Sequence, residues 1–190
     1  NNDTAVISVE DGLGFVYGDK VYIVRGDYND TNVTVISRAD GVLSDTLEHG
    51  IPITDIYVNH TLEAQPVDYT FTPRIYDSRQ DYEGAYCSNG DITVRIWINP
   101  TPGINVNVPD TIICDNNFVE INVSSLQGSV MGGTLVYDLD VTYDAGDVSG
   151  TITADGEFLP TQSISDLLIN NSDTVQLITY RFTARIRDDR

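Results

Sequence analysis

The strand VDYTFTPRI (residues 67–75) is written a second time, with small changes, as ITYRFTARI (residues 178–186). In each copy a tyrosine and a phenylalanine stand two positions apart, as Tyr69 and Phe71 do in the first. Side chains at alternate positions point to the same face of a strand, so we expect both aromatic rings to lie in a core. A strand repeated this closely indicates that a larger unit is repeated around it.

The repetition extends well beyond this strand. A shift of 111 residues places Ile53 on Ile164, and nine positions in the 26-residue window 50–75 are then identical in the two copies. The identical pairs are Ile53/Ile164, Asp55/Asp166, Asn59/Asn170, Gln65/Gln176, Tyr69/Tyr180, Phe71/Phe182, Thr72/Thr183, Arg74/Arg185 and Ile75/Ile186. The chain therefore contains the same segment twice.

Upstream of this window the two copies match at a different shift. A shift of 115 residues places Ala-Asp-Gly at 39–41 on Ala-Asp-Gly at 154–156. The change from 115 to 111 indicates four extra residues in the first copy near TLEHGIP (46–52). The sequence thus predicts two domains built on one plan, residues 1–100 and 101–190, joined by a proline-rich linker.

Strand patterns dominate the whole chain. Short stretches rich in Val, Ile, Thr and Tyr alternate with turn-forming pairs such as Asn89-Gly90, at a spacing of about ten residues. This pattern is typical of antiparallel sandwiches, so we predict an all-β fold with two tandem sandwiches. One exception is SISDLLIN (163–170), which we expect to form a single helical turn or a crossing loop.

An aspartate stands 14 positions before the strand tyrosine in each copy, Asp55 before Tyr69 and Asp166 before Tyr180. This arrangement is typical of a sandwich corner, where a tyrosine hydroxyl ties down the preceding crossover. The alternative is that the tyrosine ring packs without a specific bond.

The charge is strongly acidic, with 29 acidic against 10 basic residues and a formal net charge of -19. Such a field repels phosphate backbones, which disfavours nucleic acid as a partner. The chain has no apolar run near the roughly 18 residues of a membrane helix, so we expect no membrane insertion. Cys87 and Cys114 flank a predicted strand spanning roughly 30 Å. Since bridged Cα atoms lie within about 7 Å, we expect no bond between these cysteines.

Several motifs together resemble a known family. A TYRFTARI-type strand is followed by a CSNG turn (87–90), an alternating strand that ends in NPTP (99–102), and an ICDNN entry (113–117). The sequence resembles the PKD-like, immunoglobulin-like tandem repeats of large cell-surface proteins of Bacteroidota, including gliding adhesins and cargo of the type IX secretion system. The resemblance implies immunoglobulin-like (PKD-like) sandwiches, surface exposure, and mechanical or adhesive roles without catalytic residues.

The repeat also predicts what the second domain lacks within this chain. The last strand of the first domain is DITVRIWIN (91–99), and its counterpart would start near position 202. Two explanations stay open: more chain follows, or a neighbouring molecule adds a strand to the exposed edge.

Two candidate sites stand out. Asp138, Asp140, Asp144 and Asp147 form an acidic group that could bind calcium through its oxygens, with plain solvated surface as the alternative. A ligand platform is suggested by the aromatic residues Trp97, Tyr86 and Tyr82. The alternative for Trp97 is that it covers the joint between the domains.

No Ser, Cys or His motif of a known enzyme class is present, and neither His49 nor His60 stands near one. We therefore predict that the chain is not an enzyme and needs no cofactor, with calcium as the exception. The predicted function is a structural and adhesive repeat segment of a long extracellular protein or filament, acting as a stiff acidic spacer. Its partners would be neighbouring repeats or filament neighbours. The alternatives are a carbohydrate-binding module for surface glycans and a filament subunit that assembles by strand donation.

Overall fold

The chain folds entirely as β-structure in the part that is described. A computed structural model describes residues 3–7, 19–38, 46–48, 50, 52–76, 86–88 and 90–189. These residues form fifteen strands, paired antiparallel, and no helix. The chain divides into two compact units, Asn1–Pro100 and Thr101–Arg190, here called unit 1 and unit 2.

Unit 1 contains two sheets. Its strands are β1 (Asp3–Ile7), β2 (Asp19–Tyr28), β3 (Val33–Arg38), β4 (Thr46–Glu48), β5 (Ile53–Asn59), β6 (Gln65–Tyr76), β7 (Tyr86–Ser88) and β8 (Ile92–Ile98). One sheet has the order β1-β5-β3. The other has the order β4-β2-β6-β7, and β8 pairs with β6 as well.

Unit 2 also contains two sheets. Its strands are β9 (Ile104–Asn107), β10 (Asn117–Ser125), β11 (Gly133–Thr142), β12 (Val148–Thr151), β13 (Gly156–Phe158), β14 (Ile164–Asn170) and β15 (Thr179–Asp188). One sheet has the order β12-β14-β10-β9, and the other has the order β13-β11-β15.

In each unit the apolar faces of the two sheets meet in one core. The unit 1 cluster includes Val33 and Tyr57 from one sheet and Val24 and Phe71 from the other. The unit 2 cluster joins the β10 and β14 side chains to those of β11 in the same way. Because buried and exposed positions alternate along strands such as β10, one face of each sheet is available for this contact. The fold is therefore sandwich-like in both units.

The segment 163–170 is not the helical turn or crossing loop that we expected. It contains β14, which lies between β10 and β12 in its sheet. Ile164, Asp166 and Leu168 are buried, at 3%, 1% and 9% exposure. The reason is that these residues follow a period of two, which outweighs the helix propensity of the two leucines.

The duplication seen in the sequence is also present in the strand pairing. In unit 1 β3 pairs with β5 through Val33 and Asn59, and in unit 2 β12 pairs with β14 through Val148 and Asn170. These are equivalent positions under the shifts of 115 and 111 residues. The pairs β1·β5, β2·β4 and β2·β6 likewise recur as β10·β14, β11·β13 and β11·β15. The two units are thus two copies of one arrangement of strands.

A buried carboxylate links the two sheets of unit 1. Asp55 lies on β5 at 5% exposure, and its Oδ2 accepts hydrogen bonds from the hydroxyls of Tyr69 on β6 and Tyr57 on β5. The two hydroxyls also contact each other. The tyrosine hydroxyl is therefore specifically bonded, as the corner motif predicted, rather than only packed.

Unit 2 repeats this link with different supporting residues. Asp166 on β14 accepts a 2.8 Å hydrogen bond from the hydroxyl of Tyr180 on β15. Leu168 stands where unit 1 has Tyr57, and the other oxygen of Asp166 accepts bonds from the backbone nitrogen (3.0 Å) and hydroxyl (2.6 Å) of Thr153. Both units keep the aspartate and one tyrosine. The other hydrogen-bond donor to the carboxylate is Tyr57 in unit 1 and Thr153 in unit 2.

The turn after β5 is held by its own side chains. The Oδ1 of Asn59 accepts bonds from the backbone nitrogen and the hydroxyl of Thr61, both at 2.8 Å. Its Nδ2 donates to the carbonyls of Glu63 (2.7 Å) and Ile98 (2.8 Å). Gln65 then donates to the Thr61 hydroxyl at 3.1 Å. An asparagine whose carbonyl accepts an N–H two residues on forms an Asx-turn.

The turn after β14 repeats these hydrogen bonds, apart from the one to Ile98. Asn170 accepts from the backbone nitrogen (3.0 Å) and hydroxyl (2.9 Å) of Ser172 and donates to the carbonyl of Thr174 at 2.8 Å. Gln176 donates to the Ser172 hydroxyl at 2.8 Å. The identical asparagines and glutamines of the sequence repeat are therefore explained by one turn that is used twice.

Alkaline pH should destabilise both units through these tyrosines. Burial, with the hydrogen bond to an aspartate, raises the pKa of Tyr69 and of Tyr180 above the ordinary value. Above about pH 10 the unfolded chain loses these protons while the folded chain keeps them. We expect the free energy of unfolding to be unaffected by these groups below that pH. Above it, the free energy should fall by at most about 1.4 kcal/mol per pH unit for each tyrosine.

Urea unfolding from pH 8 to pH 11 measures this dependence. Tyr69→Phe and Tyr180→Phe should each make the fall above pH 10 shallower, and Leu62→Ala, at an exposed position without a titrating group, should leave it unchanged. A stability that does not change with pH up to pH 11 in the unmodified chain would contradict this explanation.

Removing the unit 2 carboxylate should be costly. Asp166→Ala leaves the Tyr180 hydroxyl and two groups of Thr153 without their acceptor, so we expect a loss of about 2–4 kcal/mol in the free energy of unfolding. Asp140→Ala, at an exposed position on β11 of the other sheet, is the matched control and should change stability by no more than about 0.5 kcal/mol. Chemical denaturation of both variants measures the difference, and equal losses would refute the role of Asp166.

Candidate functional site

Trp97 lies on an outward face of unit 1 beside a charged pair. Its ring is 43% exposed, and the guanidinium carbon of Arg95 lies 5.9 Å from the ring centroid. Arg95 donates two hydrogen bonds to the carboxylate of Asp68 on β6, both 2.7 Å long. These bonds lower the pKa of Asp68, which therefore stays ionised. Trp97, Arg95 and Asp68 form one continuous patch, which we call the Trp97 face.

Of the other two predicted platform residues, the structure describes the backbone of Tyr86 alone and places it away from the Trp97 face. Trp97 stands opposite Pro66 at the start of β6, whereas the backbone of Tyr86 pairs with Tyr76 at its end. Ten strand positions separate these places, which corresponds to roughly 30 Å. Tyr82 lies outside the described residues. A platform shared by Trp97 and Tyr86 is therefore not formed.

The Trp97 face has the groups that a small polar ligand would need. An indole ring offers an apolar surface, and a guanidinium and a carboxylate offer hydrogen bonds of both directions. Thr70 and Thr93 extend the same face with hydroxyls 3.2 Å apart. The charged groups already satisfy each other, however, so a ligand would have to compete with the bidentate pair.

Among the four carboxylates predicted to bind calcium, Asp138 is paired with a cation. It accepts hydrogen bonds of 2.8 and 3.2 Å from Arg185, which lower its pKa. Arg185 also contacts Glu157, and Glu157 accepts a 2.6 Å bond from Arg187. These two carboxylates and two guanidinium groups form an ion-pair network across β13, β11 and β15. The charge of Asp138 is therefore balanced by an arginine.

The remaining three carboxylates lie in different surroundings from one another. Asp140 is exposed and stands opposite Arg181 on β15. Asp144 accepts a 2.9 Å bond from a backbone nitrogen two residues on, and Asp147 accepts a 3.2 Å bond from Gln176. Within the described ranges, no group of three or more His, Cys, Asp or Glu side chains is placed to hold a metal ion. Calcium binding stays a prediction without a ligand set in this part of the chain.

Reactive side chains elsewhere in the described residues include those of His60 and Cys114. His60 shares a 2.7 Å hydrogen bond with the hydroxyl of Thr34, and both groups are exposed. His49 lies outside the described residues. Cys114 is a free, exposed thiol, whereas the side chain of Cys87 is not among those described.

An apolar groove in unit 2 was not predicted as such from the sequence. Its volume is about 590 Å³, and its lining side chains come mainly from two segments, 106–113 and 175–182. We call it the β15 groove, because Tyr180 and Phe182 of that strand line it. Three apolar side chains on its lining are almost fully exposed: Ile112 at 92%, Val175 at 98% and Leu177 at 80%.

The groove follows the side of β15 that has no neighbour. In unit 1, β6 pairs with β2 on one side and with β8 on the other, from Gln65 to Phe71. In the described residues of unit 2, β15 pairs with β11 alone. In unit 1 the equivalent side of β6 is the one that β8 covers.

Comparisons with protein families, curated proteins and solved structures find no match. Function is therefore argued from the geometry of this chain and from the comparison of its two copies. The described residues also contain no apolar helix long enough to cross a membrane.

Sequence reasoning found Trp97 but missed its partners. Asp68 and Arg95 lie 27 residues apart, and only the register of β6 against β8 brings them together. The groove residues Ile112 and Val175 carried no motif. The available signal was the absence of a counterpart to β8, which predicted an exposed edge but not a cavity beside it.

Proposed function

We propose that the chain is a tandem-repeat segment of a long extracellular surface protein, in which two immunoglobulin-like units act as a stiff acidic spacer. Its partners would be neighbouring repeats of the same kind, and it would carry out no catalysis. The resemblance to PKD-like repeats of Bacteroidota surface proteins supports this proposal.

One observation supports it most strongly: the two units keep the same internal framework. The Asp55–Tyr69 bond recurs as the Asp166–Tyr180 bond, and the turn that begins with Asn59 recurs after β14. These contacts join strands and sheets within a unit. Because both copies keep these bonds and this turn, the feature that the two copies share is the folded unit itself.

On the outward face of β6 and β15, Thr72/Thr183 and Arg74/Arg185 are the same in the two copies, and two other positions differ. Asp68 on β6, which binds Arg95, has Thr179 as its counterpart, and Thr70 has Arg181. A shared binding or catalytic site would need the same outward groups in each copy. The divergence at the positions of Asp68 and Thr70, together with the kept interior, favours a role in which the fold itself is what is needed.

Single-molecule force spectroscopy of the whole chain tests the spacer proposal. If each unit is an independent sandwich that carries load, two separate unfolding events should appear, each releasing on the order of 30 nm of chain. Asp166→Ala should weaken one event and leave the other unchanged, and Asp140→Ala should alter neither.

The spacer proposal would be wrong if the chain extended without force peaks. It would equally be wrong if it unfolded in a single event of about twice that length, because a row of such units could not then act as a series of separate elements.

A carbohydrate-binding module is the second candidate, and the Trp97 face is the observation that favours it. An exposed tryptophan beside a guanidinium and a carboxylate can both stack on a sugar ring and bond to its hydroxyls. The side chain is available without any change in the core, since 43% of its surface is exposed.

A glycan array separates these two candidates. The test compares the unmodified chain with Trp97→Ala and with Leu62→Ala, a control at another exposed apolar position of unit 1. The spacer proposal predicts that no glycan signal depends on Trp97. A glycan bound by the unmodified chain and by the Leu62 variant, but lost in the Trp97 variant, would replace the spacer proposal with the carbohydrate one.

A filament subunit that assembles by strand donation is the third candidate. The observation that favours it is the open side of β15 with its apolar groove. Sedimentation at decreasing concentrations tests it, because a donated strand holds molecules together and dilution should release monomers.

A further inference from the structure

The β15 groove has a filled counterpart in unit 1. There β8 lies antiparallel to β6, with Ile98 opposite Gln65 and Ile96 opposite Val67. Ile98 is only 4% exposed and belongs to the unit 1 core, and Ile96 packs against that core. The strand therefore contributes both backbone pairing and two inward isoleucines.

The β6 residues beneath β8 have their equivalents in the wall of the groove. Under the shift of 111 residues, Gln65, Val67, Tyr69 and Phe71 correspond to Gln176, Ile178, Tyr180 and Phe182. All four of these unit 2 residues line the β15 groove.

The consequence is visible in their burial. Val67, Tyr69 and Phe71 are 0%, 1% and 4% exposed beneath β8. Their unit 2 equivalents are only partly buried.

The strand lengths differ in the same place. In unit 1, β6 begins at Gln65, where its pairing with β8 begins. In unit 2, β15 begins at Thr179, three positions after the equivalent residue Gln176. The segment 176–178 thus has the residues of a strand but lacks the partner that would hold it as one.

We propose that the β15 groove binds an extended strand with the side-chain pattern of β8, paired antiparallel with residues 176–182. Apolar side chains at alternate positions of this strand would face Gln176 and Ile178, as Ile98 and Ile96 face their partners in unit 1. Backbone hydrogen bonds to the open edge supply affinity, and the inward side chains supply selectivity. This inference deepens the strand-donation candidate, and its failure would leave the spacer proposal intact.

The outward residues of the edge define the charge of the partner. Unit 1 has Asp68 opposite Arg95 and Thr70 opposite Thr93. At the position of Thr70, unit 2 has Arg181, which is exposed. An acidic residue at the Thr93 position of the bound strand would therefore pair with Arg181 across the strands, whereas a basic residue there would be repelled.

The apolar surface around the groove supplies the remaining driving force. Ile112, Val175 and Leu177 together expose almost their entire side chains. All three side chains line the same groove, and covering them with an inserted strand would remove apolar surface from water.

Fluorescence anisotropy with labelled peptides tests the proposal on the full chain. The first probe has the sequence of residues 91–99 with Thr93→Glu, and the second has Thr93→Arg. We expect saturable binding of the first and about tenfold weaker binding of the second. A third peptide, with Ile96→Asp and Ile98→Asp added to the first, should not bind.

Variants of the chain locate the site. Arg181→Glu, at an exposed position that does not affect the core, should reverse the order of the first two peptides. Ile112→Arg should weaken the first peptide about tenfold, and Leu159→Arg, at an exposed apolar position outside the groove, should leave it unchanged. Circular dichroism of each variant confirms that the fold is retained.

Several results would overturn the inference. These are no saturable binding by the first peptide, equal binding by the peptide with two aspartates, an unchanged preference in Arg181→Glu, and equal weakening by Leu159→Arg. Self-association of the chain that the first peptide does not dissociate would also overturn it, since another surface would then hold the copies together.

Discussion

The hydrogen bond between a buried aspartate and a tyrosine hydroxyl is the constraint on which both units depend. Asp55 and Asp166 stand on inner strands at 5% and 1% exposure, where a carboxylate without partners would be very unfavourable. Tyr69 and Tyr180 supply the bond from the facing sheet. Each sheet therefore fixes the position of the other, and a shift in strand register would leave the carboxylate unsatisfied. This is how a core of ordinary β-branched and aromatic residues acquires one defined arrangement.

The comparison of the two copies separates what the fold needs from what it tolerates. Both keep the aspartate and the bonded tyrosine, but Tyr57 in unit 1 corresponds to Leu168 in unit 2, where Thr153 bonds to the carboxylate instead. The requirement is that the carboxylate be satisfied, and several donors can meet it. Outward positions are freer still, because water can satisfy them and no partner on the other sheet restricts them. A protein whose copies diverge in this way is well suited to serve as a repeated structural element.

Much of the fold could be predicted from the sequence, since its signals are local or repeated. Alternation identified most strands, and the 14-residue spacing identified the bonded aspartates and tyrosines. The segment 163–170, which was expected to form a helical turn or a crossing loop, contains β14, because its buried positions follow a period of two. The site was harder to predict, because it depends on register. Arg185 meets Asp138 only after β15 pairs with β11, and Tyr86 and Trp97 separate only after β7 and β8 pair with opposite ends of β6.

Double-mutant cycles on the two aspartate–tyrosine pairs test most directly whether one building block, held by one interaction, was used twice. Asp55→Asn with Tyr69→Phe forms one cycle, and Asp166→Asn with Tyr180→Phe forms the other, each followed by urea unfolding at neutral pH. We predict favourable coupling in both units, of about 1 kcal/mol or more and of similar size. Additive effects in either unit, with no coupling between the paired residues, would contradict it.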